Sequence, residues 1–256
     1  MLVSGHEASR ARAVRIDLAK LIAAGEMDVL YQAQVTARTF RIAGFEALAR
    51  WNHPTHGPLS PDAFLDGSEE SLEDLTTFVL NRACEDAARW PSVTVSVNIA
   101  PHQFGAETFP DEVGAIATAA GLPLDCLELE ILESDAFKDP DAARAGMKRL
   151  RSMGVRIAID DYGQGFSRQS LLLDLPISKI KLARSLVIDE KSAGWIEEFV
   201  ATAHALGMEV TAEGGETQAQ AMQAANCDYM QGFLFARPAS GAQVTRALTQ
   251  GAAPSP

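Results

Sequence analysis

The chain is poor in the residues that mark several common protein classes. Cysteine occurs three times in 256 residues, at Cys84, Cys126 and Cys227, with no CxxC pair. That argues against a disulfide framework and predicts reduced, buried thiols in a cytoplasmic protein. Positive charge is also scarce: 22 Lys and Arg face 34 Asp and Glu, a formal net charge of −12. Such a balance excludes a general binder of nucleic acid or acidic membrane. A small anionic ligand remains open where a metal ion or an arginine reverses the local field. No apolar run is long enough for a membrane span, and no signal-peptide pattern opens the chain. No dinucleotide-binding or P-loop glycine pattern follows the first strand. No serine or cysteine has a histidine and a glycine elbow beside it, so a covalent triad is not expected.

What is there is a large apolar content, 47% hydrophobic residues, in a length close to that of one (β/α)8 barrel. Helical periodicity runs over residues 8–24. Asp28–Val35 and Arg41–Glu46 read as a hairpin and are therefore antiparallel. Beyond residue 60 strands and helices alternate. Strands are expected at 93–98, 127–130, 156–160, 178–182, 208–212 and 229–234, and helices at 72–89, 110–120, 140–152, 191–206, 216–225 and 240–249. Alternation with short links gives a parallel sheet with right-handed crossovers, and eight strands in this length favour a closed α/β barrel of the TIM type. The expected domain covers residues 8–249, with 250–256 as a frayed tail.

The strands end on oxygen donors. Glu46, Asn98, Glu130 and Asp160 would reach the chemically active face of a barrel, and Asp160-Asp161 closes its strand just before a Gly163-Gln-Gly165 turn. Hard oxygen ligands suit Mg2+, Mn2+ or Ca2+, and carboxylates gathered there repel unless a cation sits among them. Each acid alone also reads as a solvated or capping residue. Lys179 and Lys181 lie two apart on one strand and face one side, either as an electrostatic clamp or as ordinary interior ion-pair partners. Glu213 ends its own strand and is a candidate general base; Glu216 sits three residues on, at the start of a helix. His53 and His56 flank Pro54 and read as a turn, not a metal pair.

Gly44-Phe-Glu-Ala-Leu-Ala-Arg50-Trp51, with Glu46-Ala47-Leu48 at its centre, resembles the signature of the EAL domain family. The resemblance runs from about residue 10 to residue 248 and includes Tyr31-Gln32, Val97-Asn98, Glu130 to Ser134, Asp160 to Gly165, Lys179 to Lys181, Ala212 to Thr217 and Gln231-Gly-Phe. It implies hydrolysis of cyclic-di-GMP to linear pGpG in a barrel whose second strand is antiparallel to the others. It implies a first divalent cation on Glu46, Asn98, Glu130 and Asp160, with Asp160 bridging to a second beside Asp161. Lys181 would orient the attacking water and Glu213 would act as base or second-metal ligand. Arg50 would contact phosphate, Gln32 and Gln231 would lie near the nucleotide, and Glu133 and Glu216 would support the loops. Mg2+ or Mn2+ would serve turnover, while Ca2+ would bind without supporting it. Members of the family often pair, so a homodimer is implied in the same way.

Two departures bear on activity. The family pattern Lys-x-Asp-Arg reads Lys181-Leu-Ala183-Arg184 here, so a carboxylate is missing on the second-metal side. The loop after Asp161 reads Tyr162-Gly-Gln-Gly-Phe-Ser-Arg168, with a bulky cation in place of a small hydroxyl, and the segment between Phe64 and Val79 is short and acidic. Three functions stay open: a slowed phosphodiesterase, a silent cyclic-di-GMP receptor that signals to a regulatory protein partner, and a scaffold that does neither.

Overall fold

The structure, a computed structural model, describes residues 17–65, 68–90, 92–133, 137–163, 174–217, 220, 224 and 226–250. The strands are β1 (Met27–Thr36), β2 (Ile42–His53), β3 (Gly57–Leu59), β4 (Thr94–Asn98), β5 (Leu127–Leu132), β6 (Arg156–Tyr162), β7 (Lys179–Leu182), β8 (Glu209–Glu213), β9 (Tyr229–Gln231) and β10 (Ala239–Ser240). The helices are α1 (Leu18–Ala23), α2 (Glu69–Ala87), α3 (Phe109–Ala120), α4 (Pro140–Ser152), α5 (Arg184–Ile188), α6 (Ala193–Ala205) and α7 (Gly241–Gln250). From β4 to β9 each strand pairs in parallel with the next, and β2 pairs in parallel with β4. β1 bonds to both β2 and β9, which closes an eight-stranded barrel; β3 and β10 lie outside that ring.

The antiparallel member is the first strand of the barrel, not the second. β1 runs against both its neighbours, whereas β2 already follows the common direction. The hairpin expectation holds, but a hairpin alone does not say which arm is the odd one; only the next pairing does. A second correction concerns Glu46. It lies inside β2, not at its end, because β2 continues to His53 and forms a further hairpin with β3. His53 Nδ1 accepts from the backbone N–H groups of Thr55 and His56, so the histidine segment is the expected turn. The last barrel strand is short, ending at Gln231. The N-terminal part of the helix expected at 8–24, most of the one at 216–225, and the tail fall outside the described residues.

The helices form for local reasons as well as for packing. Ser68 caps α2, its side chain accepting from Ser71 N–H, and Glu69 and Glu70 fill the first turn, where the helix dipole favours negative charge. The acidity of the stretch before Val79 is thus largely a helix start. Asp139 caps α4, with Pro140 in its first turn and Arg149 and Arg151 in its last. Val95, Val97, Leu127, Leu129, Ile157, Ile159, Ile180 and Val210 are buried between barrel and helices. Inside the barrel the alternate residues are polar. Glu128, Glu130, Lys179 and Lys181 are all buried, in two interior layers.

Candidate metal centre

Strand register assembles the upper layer. Gln32 lies opposite Glu46, Asn98 beside Glu130, and Glu213 beside Gln231. Glu46, Glu130 and Asp160 each present a carboxylate oxygen within 4.8 Å of the others. Lys181 Nζ enters this group, 2.8 Å from Glu130 Oε2, 3.0 Å from Asp160 Oδ1, 2.8 Å from Glu213 Oε1 and 3.4 Å from Glu46 Oε2. One ammonium thus faces four carboxylates.

The charge imbalance shows in the proton affinities. Burial, then the charges of Glu46, Asp160 and Glu128, drive the Glu130 carboxyl well above its ordinary value despite Lys181. Glu213 is pushed up to about 8 by burial, and Asp160 and Glu46 add to the shift against Lys181. Burial also works on Glu46, but Lys181 and hydrogen bonds from Gln231 and Asn98 outweigh it and hold that carboxyl low. Burial disfavours the Lys181 ammonium, yet the surrounding carboxylates win and raise its affinity for the proton well above normal.

The arrangement fits a divalent cation. The donors are hard oxygens, as Mg2+, Mn2+ and Ca2+ require. Glu130 Oε1 is buried and accepts no hydrogen bond from a described residue. A buried carboxylate oxygen in that state is costly unless a cation or water meets it. Asn98 Nδ2 donates to Glu46 Oε1 over 3.0 Å, so its amide must turn over to offer oxygen to an ion. Asp161 stands apart from the group of three: its backbone adopts φ +56°, and β6 shifts register against β7 at this point. Glu133 Oε2 accepts from Gly163 N–H at 2.9 Å, and Glu133 N–H donates to Asp160 O, so this glutamate ties down the backbone around the acid pair. Gln164 to Arg168 lie outside the described residues.

Two cavities border residues of the site. One, about 240 Å3, is lined by Gln32, Glu46, Asp160, Glu213 and Gln231, and also by Arg184 and Phe233. Gln231 Nε2 donates to Glu46 Oε2 at 2.6 Å and more weakly to Gln32 Oε1. The other, about 480 Å3, is largely apolar and is bordered by Arg50 and Asn98. Arg50 lines this cavity rather than the one with the glutamines; its Nη1 donates to Ala49 O and the Glu46 carboxylate acts on its charge. Sequence reasoning gave no role to Arg184, although it quoted the residue beside Ala183. Arg184 Nη2 pairs with Glu216 Oε1 at 2.8 Å on the cavity rim.

Comparison with known proteins decides the family. The EAL domain model matches residues 15–238. The chain belongs to the EAL domain family. It is 38% identical over 244 residues to a signaling protein of Caulobacter vibrioides, covering 92% of this chain but 30% of the relative. The chain therefore spans about a third of the curated relatives it matches. Among solved structures, the MucR phosphodiesterase of Pseudomonas aeruginosa in its c-di-GMP complex superposes with a TM-score of 0.81 at 32% identity, over 89% of this chain and 98% of that one. BlrP1 of Klebsiella pneumoniae, solved with c-di-GMP and either calcium or manganese, gives a TM-score of 0.73 at 29% identity, over 84% and 56% of the two chains.

Proposed function

We propose that this EAL domain hydrolyses cyclic-di-GMP to linear pGpG with the help of divalent metal, slowed by the loss of one carboxylate. The observation that carries the reading is the convergence of Glu46, Glu130 and Asp160 with a buried oxygen on Glu130 that has no partner among the described residues. These three, with Asn98 after its amide turns, would hold the first ion, and Asp160 with Asp161 and Glu213 would serve a second. Mg2+ or Mn2+ is the expected ion for turnover, with Ca2+ binding without it. Bound metal activates water and neutralises charge on the phosphodiester in the transition state.

The chain's own groups supply the rest. Lys181, clamped by four carboxylates, cannot swing away and keeps a fixed positive charge beside the water site. Glu213 is protonated in the metal-free fold; once that proton is displaced by bound metal, its carboxylate is suited to take the water's proton. Gln32 and Gln231 orient the nucleotide in the smaller cavity, and Arg50 holds phosphate at the edge of the larger one, which has room for a base. Glu133 and Glu216 keep the flanking loops in place. The domain extends over residues 8–249, and its three unbridged thiols fit a cytoplasmic protein. Among the described residues no helix is long and apolar enough to cross a membrane.

A second reading, a silent receptor, is favoured by one residue. Ala183 is fully buried immediately after β7, at the position where the family pattern has an aspartate. Losing one ligand of a two-metal site lowers rate more than ground-state affinity. The test is release of pGpG from cyclic-di-GMP with Mn2+. Product above a Glu46→Ala control is expected, with a marked rise in Ala183→Asp. Binding with no product in either background would favour the receptor, and no binding at all would leave only a scaffold or a partner-binding role.

A further inference from the structure

An anionic ligand entering the smaller cavity meets a wall of acids. Glu46, Asp160, Glu213 and Glu216 all line it. Lys181 is fully buried beneath them and offers no surface to a ligand. Arg50 borders the other cavity. Among the described lining residues, Arg184 is the one cation.

Its setting leaves the guanidinium usable. The stem lies across Gly214, which is possible because that residue has no side chain: a Cβ there would meet Arg184 Cγ at 2.2 Å and Cβ at 2.6 Å. The side chain is 56% exposed, and its partner Glu216 is 41% exposed. Exposed pairs of this kind contribute little, so a phosphate can compete for the arginine. Guanidinium carries five N–H donors in a planar fork that matches phosphate oxygens, and one contact to Glu216 leaves donors free. Ala183, immediately before it, brings no carboxylate to neutralise it.

We propose that Arg184 takes a phosphate oxygen of the dinucleotide at the mouth of the acid cavity, with Glu216 positioning its guanidinium. The assignment rests on the cyclic-di-GMP reading above. It gives this chain a fixed positive charge on the side where Ala183 has removed a metal-binding oxygen.

Calorimetric titration of cyclic-di-GMP in Ca2+, at low and raised salt, tests it on wild type, Arg184→Ala, Arg184→Lys and Glu216→Gln. Arg184→Ala is expected to weaken binding at least tenfold and to reduce its salt dependence, with Arg184→Lys recovering part of the loss. Glu216→Gln breaks the same ion pair but keeps the guanidinium, and is expected to cost threefold or less. If Arg184 only braced the loop through Glu216, the alanine and glutamine variants would weaken binding alike, which overturns the assignment. Arg184→Ala within twofold of wild type also overturns it and leaves the cyclic-di-GMP reading intact. Absence of binding by wild type itself removes both.

Discussion

β5 and β7 make the same kind of pair twice, one layer apart. In the lower layer Lys179 Nζ lies 2.8 Å from Glu128 Oε1; in the upper, Lys181 Nζ lies 2.8 Å from Glu130 Oε2. Strand, residue types, burial and distance match, yet the proton affinities of the two glutamates move in opposite directions. Burial works to raise Glu128, but Lys179 and Arg156 outweigh it and hold it below the ordinary value. Arg156 also pairs with Glu209, Tyr229 Oη donates to that carboxylate, and Lys179 lies over the Tyr229 ring. Two cations and two anions therefore balance in the lower layer. Glu130 is driven up by burial, which its one ammonium, shared with three other carboxylates, does not outweigh. A buried ion pair becomes structural or reactive according to the charge around it, not according to the pair.

Unbalancing the lower layer should have the largest effect. Glu128→Ala leaves Lys179 buried without its carboxylate and is expected to cost about 3–5 kcal/mol, read by chemical denaturation. A loss near zero would mean that the lower layer is not a balanced unit.

The pH dependence separates the layers next. In the metal-free fold Glu213 holds its proton up to about pH 8, above its ordinary carboxyl value of 4.5. That contribution to stability is complete below the unfolded value and is lost as pH rises through the folded one, because the native state binds the extra proton in between. The melting temperature of metal-free protein should thus fall between about pH 5 and about pH 8.5. Saturating Mn2+ should stabilise more at the upper end, since binding expels that proton. A stabilisation by Mn2+ that shrinks with rising pH would break the comparison.

Glu130→Gln should be mild by contrast with Glu128→Ala. Lys181 keeps three carboxylates, so metal-free stability should change by less than about 1 kcal/mol while Mn2+ affinity drops sharply, seen by thermal shift with and without the ion. Thr211→Val is the smallest change. The Thr211 hydroxyl is buried inside the barrel without a partner among the described residues, so an apolar isostere should be neutral or stabilising by up to about 1 kcal/mol. A loss above that would show that the hydroxyl is satisfied.

Much of the barrel was legible because strand–helix alternation and end residues are local signals. Helix α4 was expected at 140–152 and is found at those limits. The acids were legible as strand residues, and Lys179 and Lys181 as one interior face. The direction of β1 was not, since it depends on pairing with β9, far along the chain. The extension of β2 was hidden because its later residues mix polar and aromatic types while pairing with a second hairpin arm. Arg184 was overlooked because its position depends on contact with Gly214 and Glu216 from another strand end. The differing fates of Glu128 and Glu130 could not be read either: alternation places both inside, but only the neighbours from β2, β6 and β8 set the local charge.

Calorimetric titration of Mn2+ into wild type and Glu46→Ala at pH 7 tests the central claim most directly. The account predicts saturable binding of at least one ion per chain with proton release, lost in the variant. Equal heats from both proteins, or none from wild type, would contradict it.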